Sequence, residues 1–320
     1  MKALTWHGGP RLTYDDIPAP AAGDGDVAVD VTLAGVCGSD LHPYRGHAGP
    51  RVPPLVLGHE AVGRVAGRPD TGYVVFPLVV CGSCAACLRG EENLCESRGL
   101  LGLDRQGVFA ERVMVRPDAL VPIPDRMDER VAVLTEPLAT SVAVMRVDGI
   151  TAADRVLVVG GGPIGLLAAH ACAAGGIDVT LVEPLAERRA LAERIGAAVH
   201  AAVEDVRGAR FDRAIDAVGI EPTWQGAVAA VRAGGTVTIV GLGQAEGAIA
   251  AGDMVRRGIT VRGHYAYTRA DFAAALRVLA EHPPDLEWLS VMPLADGAEA
   301  FRRLVDEPAT TVKALLRVGG

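Results

Sequence analysis

The sequence predicts an α/β protein of two domains, one rich in β-strands and one built on a doubly wound parallel sheet. With 320 residues the chain is long for a single hydrophobic core, so two domains are expected. Residues 1–145 show short segments rich in β-branched residues, separated by clusters of Gly, Pro and Asp. From about 146 to 270 strands and helices alternate, which is typical of a parallel sheet with helices on both faces.

A glycine-rich turn lies at the centre of the chain, directly after the strand predicted for 156–159. In the pattern G-x-G-x-x-G the first glycine allows a tight turn, the second lets a pyrophosphate approach the backbone, and the third lets the helix pack on the strand. A proline follows at the first helical position, so the helix N-terminus faces the phosphates. The candidate cofactor-binding residues of the turn are Gly160, Gly162, Pro163, Ile164 and Gly165.

The next predicted strand ends in Glu183, where an acidic residue would bind the ribose hydroxyls of NAD and repel the 2′-phosphate of NADP. Arg188 and Arg189 follow on a helix and are expected on its solvated face, although Arg188 is also a candidate cofactor contact. A glycine-rich turn alone occurs in many α/β folds. Here the turn, the helix, the second strand and its terminal acid agree, so the sequence predicts NAD binding.

Composition excludes several other classes of function. The formal net charge of -8 argues against nucleic-acid binding, so no nucleic-acid partner is expected. The first residues lack the apolar core of a signal peptide, and no apolar run is long enough to span a bilayer. We therefore expect a soluble cytoplasmic protein with no membrane partner. In that compartment, clustered cysteines indicate a metal site rather than disulfides.

Four of the six cysteines follow the pattern C-x2-C-x2-C-x7-C, at Cys81, Cys84, Cys87 and Cys95. Four thiolates complete a tetrahedral zinc shell and leave no open position, so the predicted site is structural. An iron–sulfur cluster is the alternative metal site, but its usual cysteine runs have different spacings. Absence of any metal is the remaining alternative.

A second group of possible ligands consists of Cys37, His59 and Glu60. A thiolate, an imidazole and a carboxylate are donors that a catalytic zinc accepts, with one position left for water or substrate. Alternatively, Cys37 is a small buried hydrophobic residue and His59 an ordinary polar or core residue. The spacing alone does not decide between these interpretations.

Several motifs together resemble those of the zinc-dependent medium-chain dehydrogenase/reductase family, and they occur in its order. They are Gly35-Val-Cys-Gly-Ser-Asp-Leu-His42, Gly58-His-Glu60, the four-cysteine segment, Glu136-Pro-Leu138 and the glycine turn. The triplet at Glu136 is most similar to the polyol and secondary-alcohol branch, which includes sorbitol, butanediol and threonine dehydrogenases. The resemblance implies a GroES-like catalytic domain at 1–145, a Rossmann domain at 146–275 and a return segment, 276–320, that completes the first domain.

The resemblance also implies roles for individual residues. Cys37 and His59 would bind the catalytic zinc, and Glu60 and Glu136 would bind it directly or through water. Ser39 would contact the substrate oxygen, and His42 would carry the proton to solvent. The nicotinamide site would be lined by Val218, Gly241 and Leu242. These residues also have interpretations without a role in catalysis. Ser39 could be a turn residue, His42 a surface histidine and Glu136 a charge at a helix N-terminus. Val218, Gly241 and Leu242 could belong to ordinary strand-to-helix turns.

Position 38 departs from the pattern, because it is Gly where some alcohol dehydrogenases place a basic phosphate-binding residue. Pyrophosphate binding would then depend more on the helix N-terminus.

These features predict reversible oxidation of a secondary alcohol, polyol or cyclitol to a ketone, with hydride transfer to NAD. Two zinc ions per chain, one catalytic and one structural, and a homodimer or homotetramer are expected. The alternatives are a zinc-independent quinone or enone reductase of the same superfamily and a non-enzymatic NAD(H)-sensing protein. Neither would need Cys37, His59 and a carboxylate together.

Overall fold

A computed structural model describes residues 1–21, 23 and 25–319, and it divides the chain into two compact units. Unit 1 comprises Met1–Glu136 and Thr268–Gly320, and unit 2 comprises Pro137–Tyr267. Within the described residues, no helix combines the length and the apolar character needed to cross a membrane.

The N-terminal part of unit 1 is dominated by antiparallel strands. They are β1 (Lys2–Trp6), β2 (Leu12–Asp16), β3 (Val27–Gly35), β4 (Leu55–Val56), β5 (Glu60–Val65), β6 (Arg68–Val75), β7 (Leu78–Val79), β8 (Gly99–Leu100), β9 (Arg112–Val115) and β10 (Leu120–Pro122). The helices of this region are α1 (Gly38–Tyr44), α2 (Ala85–Leu88) and α3 (Glu129–Ala132), with 3₁₀ turns at Glu92–Leu94 and Pro117–Ala119. Helix α4 (Thr135–Asp148) begins at the end of this region and continues into unit 2.

Unit 2 alternates strands and helices, as expected from the sequence. Its elements are β11 (Arg155–Val159), α5 (Pro163–Ala174), β12 (Asp178–Val182), α6 (Ala186–Ile195), β13 (Ala198–His200), a 3₁₀ turn (Val203–Val206), β14 (Phe211–Asp216), α7 (Glu221–Ala230), β15 (Val231–Ile239), α8 (Ala251–Arg257) and β16 (Thr260–Gly263). All strands pair in parallel in the order β13-β12-β11-β14-β15-β16. This is the strand order of a doubly wound dinucleotide-binding sheet, and ligands bind where that order reverses, at the carboxyl ends of β11 and β14.

The C-terminal segment returns to unit 1. It contains α9 (Arg269–Glu281), β17 (Leu289–Pro293), a 3₁₀ turn (Leu294–Asp296), α10 (Gly297–Asp306) and β18 (Lys313–Arg317). β18 pairs in antiparallel with β3, matching Leu315 with Gly35, and extends the main sheet of unit 1 to the order β10-β6-β5-β3-β18-β17. The predicted fold class, a GroES-like β-rich part with a Rossmann part, is thereby confirmed.

The chain passes from one unit to the other at 136/137 and at 267/268. These boundaries lie nine and eight residues before the expected ones at 145/146 and 275/276. Helix α4 explains the first difference, because most of it packs within unit 2. Ser141 Oγ donates to Ile164 O at 3.4 Å, and Thr238 Oγ1 donates to the Asp148 carboxylate at 2.5 Å. Helix α9 explains the second difference, because Arg269 at its start lies over the ring of Phe76 in unit 1.

Candidate active site

The predicted catalytic ligands come together where two neighbouring strands of unit 1 end. Cys37 follows β3, His59 precedes β5, and Glu60 is its first residue. Since β3 and β5 pair in antiparallel with Gly35 opposite Glu60, these ends lie side by side. The ligand atoms of Cys37, His59 and Glu60 all lie within 4.8 Å of one another. A thiol, an imidazole and a carboxylate at this separation suit a zinc ion.

Asp40 joins the two segments that carry these ligands. Its side chain is fully buried and accepts hydrogen bonds from the main-chain N–H groups of Cys37 at 3.0 Å and Gly58 at 3.3 Å. Its Oδ1 also lies 3.7 Å from His59 Nδ1. A carboxylate beside Nδ1 favours the proton on that nitrogen, which leaves Nε2 free for a metal. Asp40 lies within the motif 35–42, but no local pattern in the sequence indicates this role.

Lys313, from β18, lies behind Glu60. Its Nζ is 2.5 Å from both carboxylate oxygens of Glu60 and donates to Val36 O at 3.0 Å, and both charged side chains are buried. Burial acts to lower the pKa of Lys313, but the charges of Glu60 and Cys37 outweigh it and raise the pKa. The ammonium therefore stays charged and restrains Glu60. Lys313 was not predicted as a site residue. The composition held a signal for it, because Lys2 and Lys313 are the only lysines in the sequence.

Glu136 lies in the first turn of α4, half-buried, and its charge contributes to the raised pKa of Lys313. It does not belong to the group within 4.8 Å. The structure thus places Glu60 with Cys37 and His59, and places Glu136 farther from at least one of them. Direct zinc binding by Glu136 stays a prediction.

The chemistry of these side chains fits a bound cation. Burial and the nearby Glu60 raise the pKa of the Cys37 thiol to about 11. Among the described residues, buried His59 Nδ1 and Glu60 Oε2 have no hydrogen-bond partner, although Oε2 is ion-paired with Lys313. Buried polar atoms without partners are costly. A zinc ion would displace the thiol proton and offset the buried negative charge.

Ser39 and His42 lie on α1, next to this group. Ser39 Oγ is 3.4 Å from His59 Nε2, so it lies where a substrate oxygen could meet the metal. His42 is half-buried, three residues along the helix. Its pKa is lowered by burial and then by Arg51, Arg45 and His47, so a neutral imidazole that can accept a proton is favoured near neutral pH.

The four cysteines form a separate cluster whose sulfur atoms also lie within 4.8 Å of one another. Cys81 Sγ is 3.5 Å from Cys95 Sγ and 3.9 Å from Cys87 Sγ. Tetrahedral zinc with Zn–S bonds of about 2.3 Å requires sulfurs about 3.8 Å apart, so the cluster has the size of a zinc shell. Main-chain N–H groups of Ser83 and Cys84 lower the pKa of Cys81 to about 5, which favours the thiolate.

The glycine turn has the geometry that the sequence predicts. Gly160 has a φ of +101°, which L side chains rarely adopt. A Cβ at Gly165 would collide with Gly160 O, so close packing of α5 requires glycine there. A Cβ at Gly162 would meet no atom within 4 Å, so the space above it is open, and Pro163 begins α5 at the next position.

Glu183 is fixed against this turn at the end of β12. The side chain is buried; Oε2 accepts from Gly161 N at 2.7 Å and Oε1 from Leu185 N at 2.9 Å. Arg189 donates to the main-chain oxygens of Glu183 and Pro184, both at 2.7 Å. The pKa of Arg188 is lowered by burial, against the opposing charge of Glu183. Glu183 therefore presents negative charge beside the turn.

The remaining predicted cofactor contacts follow β14 and β15. Asp216, fully buried, accepts from Val218 N at 2.9 Å and Gly219 N at 3.0 Å, and its main-chain oxygen accepts from Gly241 N at 2.9 Å. These bonds bring Val218 and Gly241 together, and a Cβ at Gly160 would touch Val218. Leu242 is 70% exposed. Asp216 was not predicted as a site residue, although an acid at a strand end before a Gly turn is a recognisable signal.

Comparison with known proteins agrees with this geometry. Residues 23–125 match the family "Alcohol dehydrogenase GroES-like domain", and residues 163–281 match "Zinc-binding dehydrogenase". The chain is 30% identical to L-galactonate-5-dehydrogenase of Escherichia coli K12, over 99% of this chain and 98% of that protein. It is 33% identical to sorbitol dehydrogenase of Bacillus subtilis 168, over 76% of this chain and 75% of that protein.

Among solved structures, an alcohol dehydrogenase from E. coli CFT073, complexed with the cofactor NADH, is similar with a TM-score of 0.91. It is 25% identical, and the match covers 99% of each chain. The protein therefore belongs to the zinc-dependent medium-chain dehydrogenase/reductase family of alcohol and polyol dehydrogenases.

Proposed function

We propose that this protein is an NAD-dependent, zinc-containing dehydrogenase that reversibly oxidises a secondary alcohol or polyol to a ketone. The observation that carries the proposal is the group formed by Cys37, His59 and Glu60 within 4.8 Å, in a chain that also holds a complete dinucleotide-binding turn. The two relatives are named for galactonate and sorbitol, which supports a hydroxyl-rich substrate. One catalytic and one structural zinc per chain are part of the proposal, as is assembly into a homodimer or homotetramer.

The residues of the site divide the work of alcohol oxidation. Cys37, His59 and Glu60 would hold a zinc ion, which when bound supplies a Lewis acid that lowers the pKa of the substrate hydroxyl. Ser39 Oγ would accept the hydroxyl proton while donating its own proton towards His42, one helical turn further along α1, and His42 would release a proton to solvent. A bound NAD would supply the hydride acceptor, so that the alcohol would lose one hydride and one proton in total.

NAD is favoured over NADP by the environment of Glu183. Two main-chain N–H groups hold its carboxylate beside the glycine turn, where it can accept hydrogen bonds from ribose hydroxyls. A 2′-phosphate would meet this negative charge, and Arg189 already donates to main-chain oxygens. The glycine turn and the N-terminus of α5 would bind the pyrophosphate.

The decisive test is Cys37→Ser in the zinc-loaded protein. Loss of the thiolate should remove the catalytic zinc and reduce NADH formation from polyols at least about a hundredfold, since an open-site ligand is lost. NADH binding, followed by fluorescence titration, should remain within about twofold because unit 2 is unchanged. Cys172→Ala is the matched control: this buried cysteine in α5 lies outside both metal-binding groups, and its replacement should leave turnover intact.

Near-normal alcohol oxidation by Cys37→Ser would contradict the proposal. Retained reduction of enones or quinones by that variant would favour the zinc-independent reductase instead. Binding of NADH without turnover of any alcohol, ketone or enone by the unaltered protein would favour a sensor.

A further inference from the structure

The segment 264–267 carries the chain from β16 to α9 and contains a strained residue. Because β16 pairs in parallel with β15, with Gly263 opposite Ile239, this segment starts at the carboxyl edge of the sheet of unit 2, where a dinucleotide binds. Ala266 has a φ of +53°, which residues with a side chain rarely adopt. The His264 ring contacts it, since Nε2 donates to Ala266 O at 2.8 Å. Such strain persists only where the surroundings fix the backbone, so both ends of the segment need anchors.

The far end of this segment is anchored at the start of α9. Thr268 is the N-cap of the helix, and it forms reciprocal hydrogen bonds with Asp271. A helix leaves the other main-chain N–H groups of its first turn without intrahelical partners. One of them, Arg269 N, donates to Glu92 Oε1. The Arg269 side chain is fixed as well, since its guanidinium lies over the ring of Phe76.

Glu92 belongs to the lobe formed by residues 81–95, which holds the four clustered cysteines. It begins the 3₁₀ turn Glu92–Leu94, which leads directly into Cys95, the fourth cysteine. The other acid of this lobe, Glu91, accepts from Arg89 Nε at 2.9 Å and so stays within the lobe. Zinc bound by the four sulfurs would fix the backbone around it, and with it the position of the Glu92 carboxylate.

We propose that Glu92 is a positioning residue that couples the metal-bound lobe to cofactor binding. The ordered lobe holds Glu92 against the Arg269 N–H, and this bond anchors the end of the segment 264–267 that leads into α9. The start of the segment, at the carboxyl edge of the sheet in unit 2, is thereby kept in the conformation that binds NAD. The inference rests on the proposed function, because it needs both the structural zinc and the NAD site. Coupling between two binding sites is reciprocal, so NAD binding should in turn order the lobe.

The first test is a fluorescence titration with NADH of the zinc-loaded protein and of its Glu92→Ala variant. The variant should keep its zinc and bind NADH about fivefold more weakly, at the lower end of typical couplings between sites, because a single hydrogen bond is lost. Glu91→Ala removes the adjacent exposed acid and is the matched control. It should bind NADH as tightly as the unaltered protein.

Two variants at Arg269 test the same bond from the side of its donor. Arg269→Pro removes the N–H and suits the first helical position, and Thr268, with a ψ of 167°, already has the extended conformation that proline requires before it. Arg269→Ala removes only the side chain and is the reference. Proline should weaken NADH binding about fivefold relative to alanine, with little further loss when combined with Glu92→Ala, because both changes delete one bond.

Hydrogen exchange measures the reciprocal effect and needs no turnover. Saturating NADH should slow amide exchange in peptides covering 81–95 about fivefold in the zinc-loaded protein, and less than about twofold in Glu92→Ala. A merely structural role for Glu92 would speed exchange in the variant without changing its response to NADH.

Unchanged NADH affinity in Glu92→Ala would overturn the inference, and so would an equal loss of affinity in Glu91→Ala. Equal affinities of Arg269→Pro and Arg269→Ala, or protection of 81–95 by NADH that Glu92→Ala retains, would also overturn it. NADH binding that depends on Glu92, without oxidation of any alcohol by the unaltered protein, would count against the proposed function alone. Alcohol oxidation with an NADH affinity that does not depend on Glu92 would count against the inference alone.

Discussion

At the scale of single residues, Lys313 occupies a buried site that suits the shape of lysine and not that of arginine. The chain has 31 basic Lys and Arg residues, and all but Lys2 and Lys313 are arginines. At position 313 a compact ammonium reaches both oxygens of Glu60 and Val36 O within a fully buried site. A planar guanidinium is larger and presents its donors in a fixed fork, so it could not make these three contacts in the same space.

Removal of this ammonium should leave Glu60 charged and unpaired. Lys313→Met is expected to lower the free energy of unfolding by about 3–5 kcal/mol, as for other buried pairs that lose one partner. The double variant with Glu60→Gln should lose less than the sum of the single changes, since neither buried charge remains. Urea denaturation of the apo and zinc-loaded forms measures both. Lys2→Met, at the exposed pair with Asp16, serves as control and should leave the free energy of unfolding nearly unchanged.

Additive effects of Lys313→Met and Glu60→Gln would show that the pair is not coupled.

Only part of the metal-binding site could be predicted from the sequence. Cys37, His59 and Glu60 carry metal-binding chemistry at short spacing, and this spacing together with the family resemblance predicts a shared zinc site. Lys313 is 253 residues from Glu60 and reaches it only through the pairing of β18 with β3, which no local pattern reveals. Asp40 was missed because its bonds go to main-chain N–H groups.

At the scale of elements, the strand–turn–helix unit around β11, α5 and β12 was the most predictable part of the fold. Apolar strands, glycines with required conformations and an acid at the next strand end are all local signals. Short helices in unit 1 were less predictable, because α1 has seven residues and includes Pro43. Helix α9 was also missed, although Thr268 and Asp271 form a capping box at its start.

The end of β12 should determine the cofactor preference. Glu183→Ala removes a carboxylate that accepts from Gly161 and Leu185 and, in the proposal, from the ribose. We expect kcat/KM for NAD to fall at least about tenfold, because charged hydrogen bonds are lost, and the ratio of NADP to NAD activity to rise. Glu187→Ala, an exposed acid in the first turn of α6, is the matched control and should leave the ratio unchanged. An unaltered ratio in Glu183→Ala would remove this residue from cofactor selection.

At the scale of the whole molecule, unit 1 is discontinuous: its sheet needs β17 and β18 from the end of the chain, and with them Lys313. The sequence predicted such a return only through family resemblance, since long-range strand pairing leaves no local pattern. The lobe formed by residues 81–95, which holds the four cysteines, has few buried apolar side chains. Cys95 is its buried sulfur, whereas Leu88 and Leu94 are 77% and 49% exposed. A metal is therefore expected to stabilise this lobe in place of packing.

Metal content and thermal stability together test whether one zinc is structural and the other catalytic. The purified protein should hold two zinc ions per chain by elemental analysis. Cys95→Ser and Cys37→Ser should each reduce the content to one, but with opposite consequences. Loss of the structural zinc should lower Tm by several degrees, since binding energy at such a site is folding energy. Loss of the catalytic zinc should abolish turnover and change Tm much less. If Cys95→Ser left Tm and zinc content unchanged, the cysteine cluster would not be a structural zinc site, and its close sulfur spacing would need another explanation.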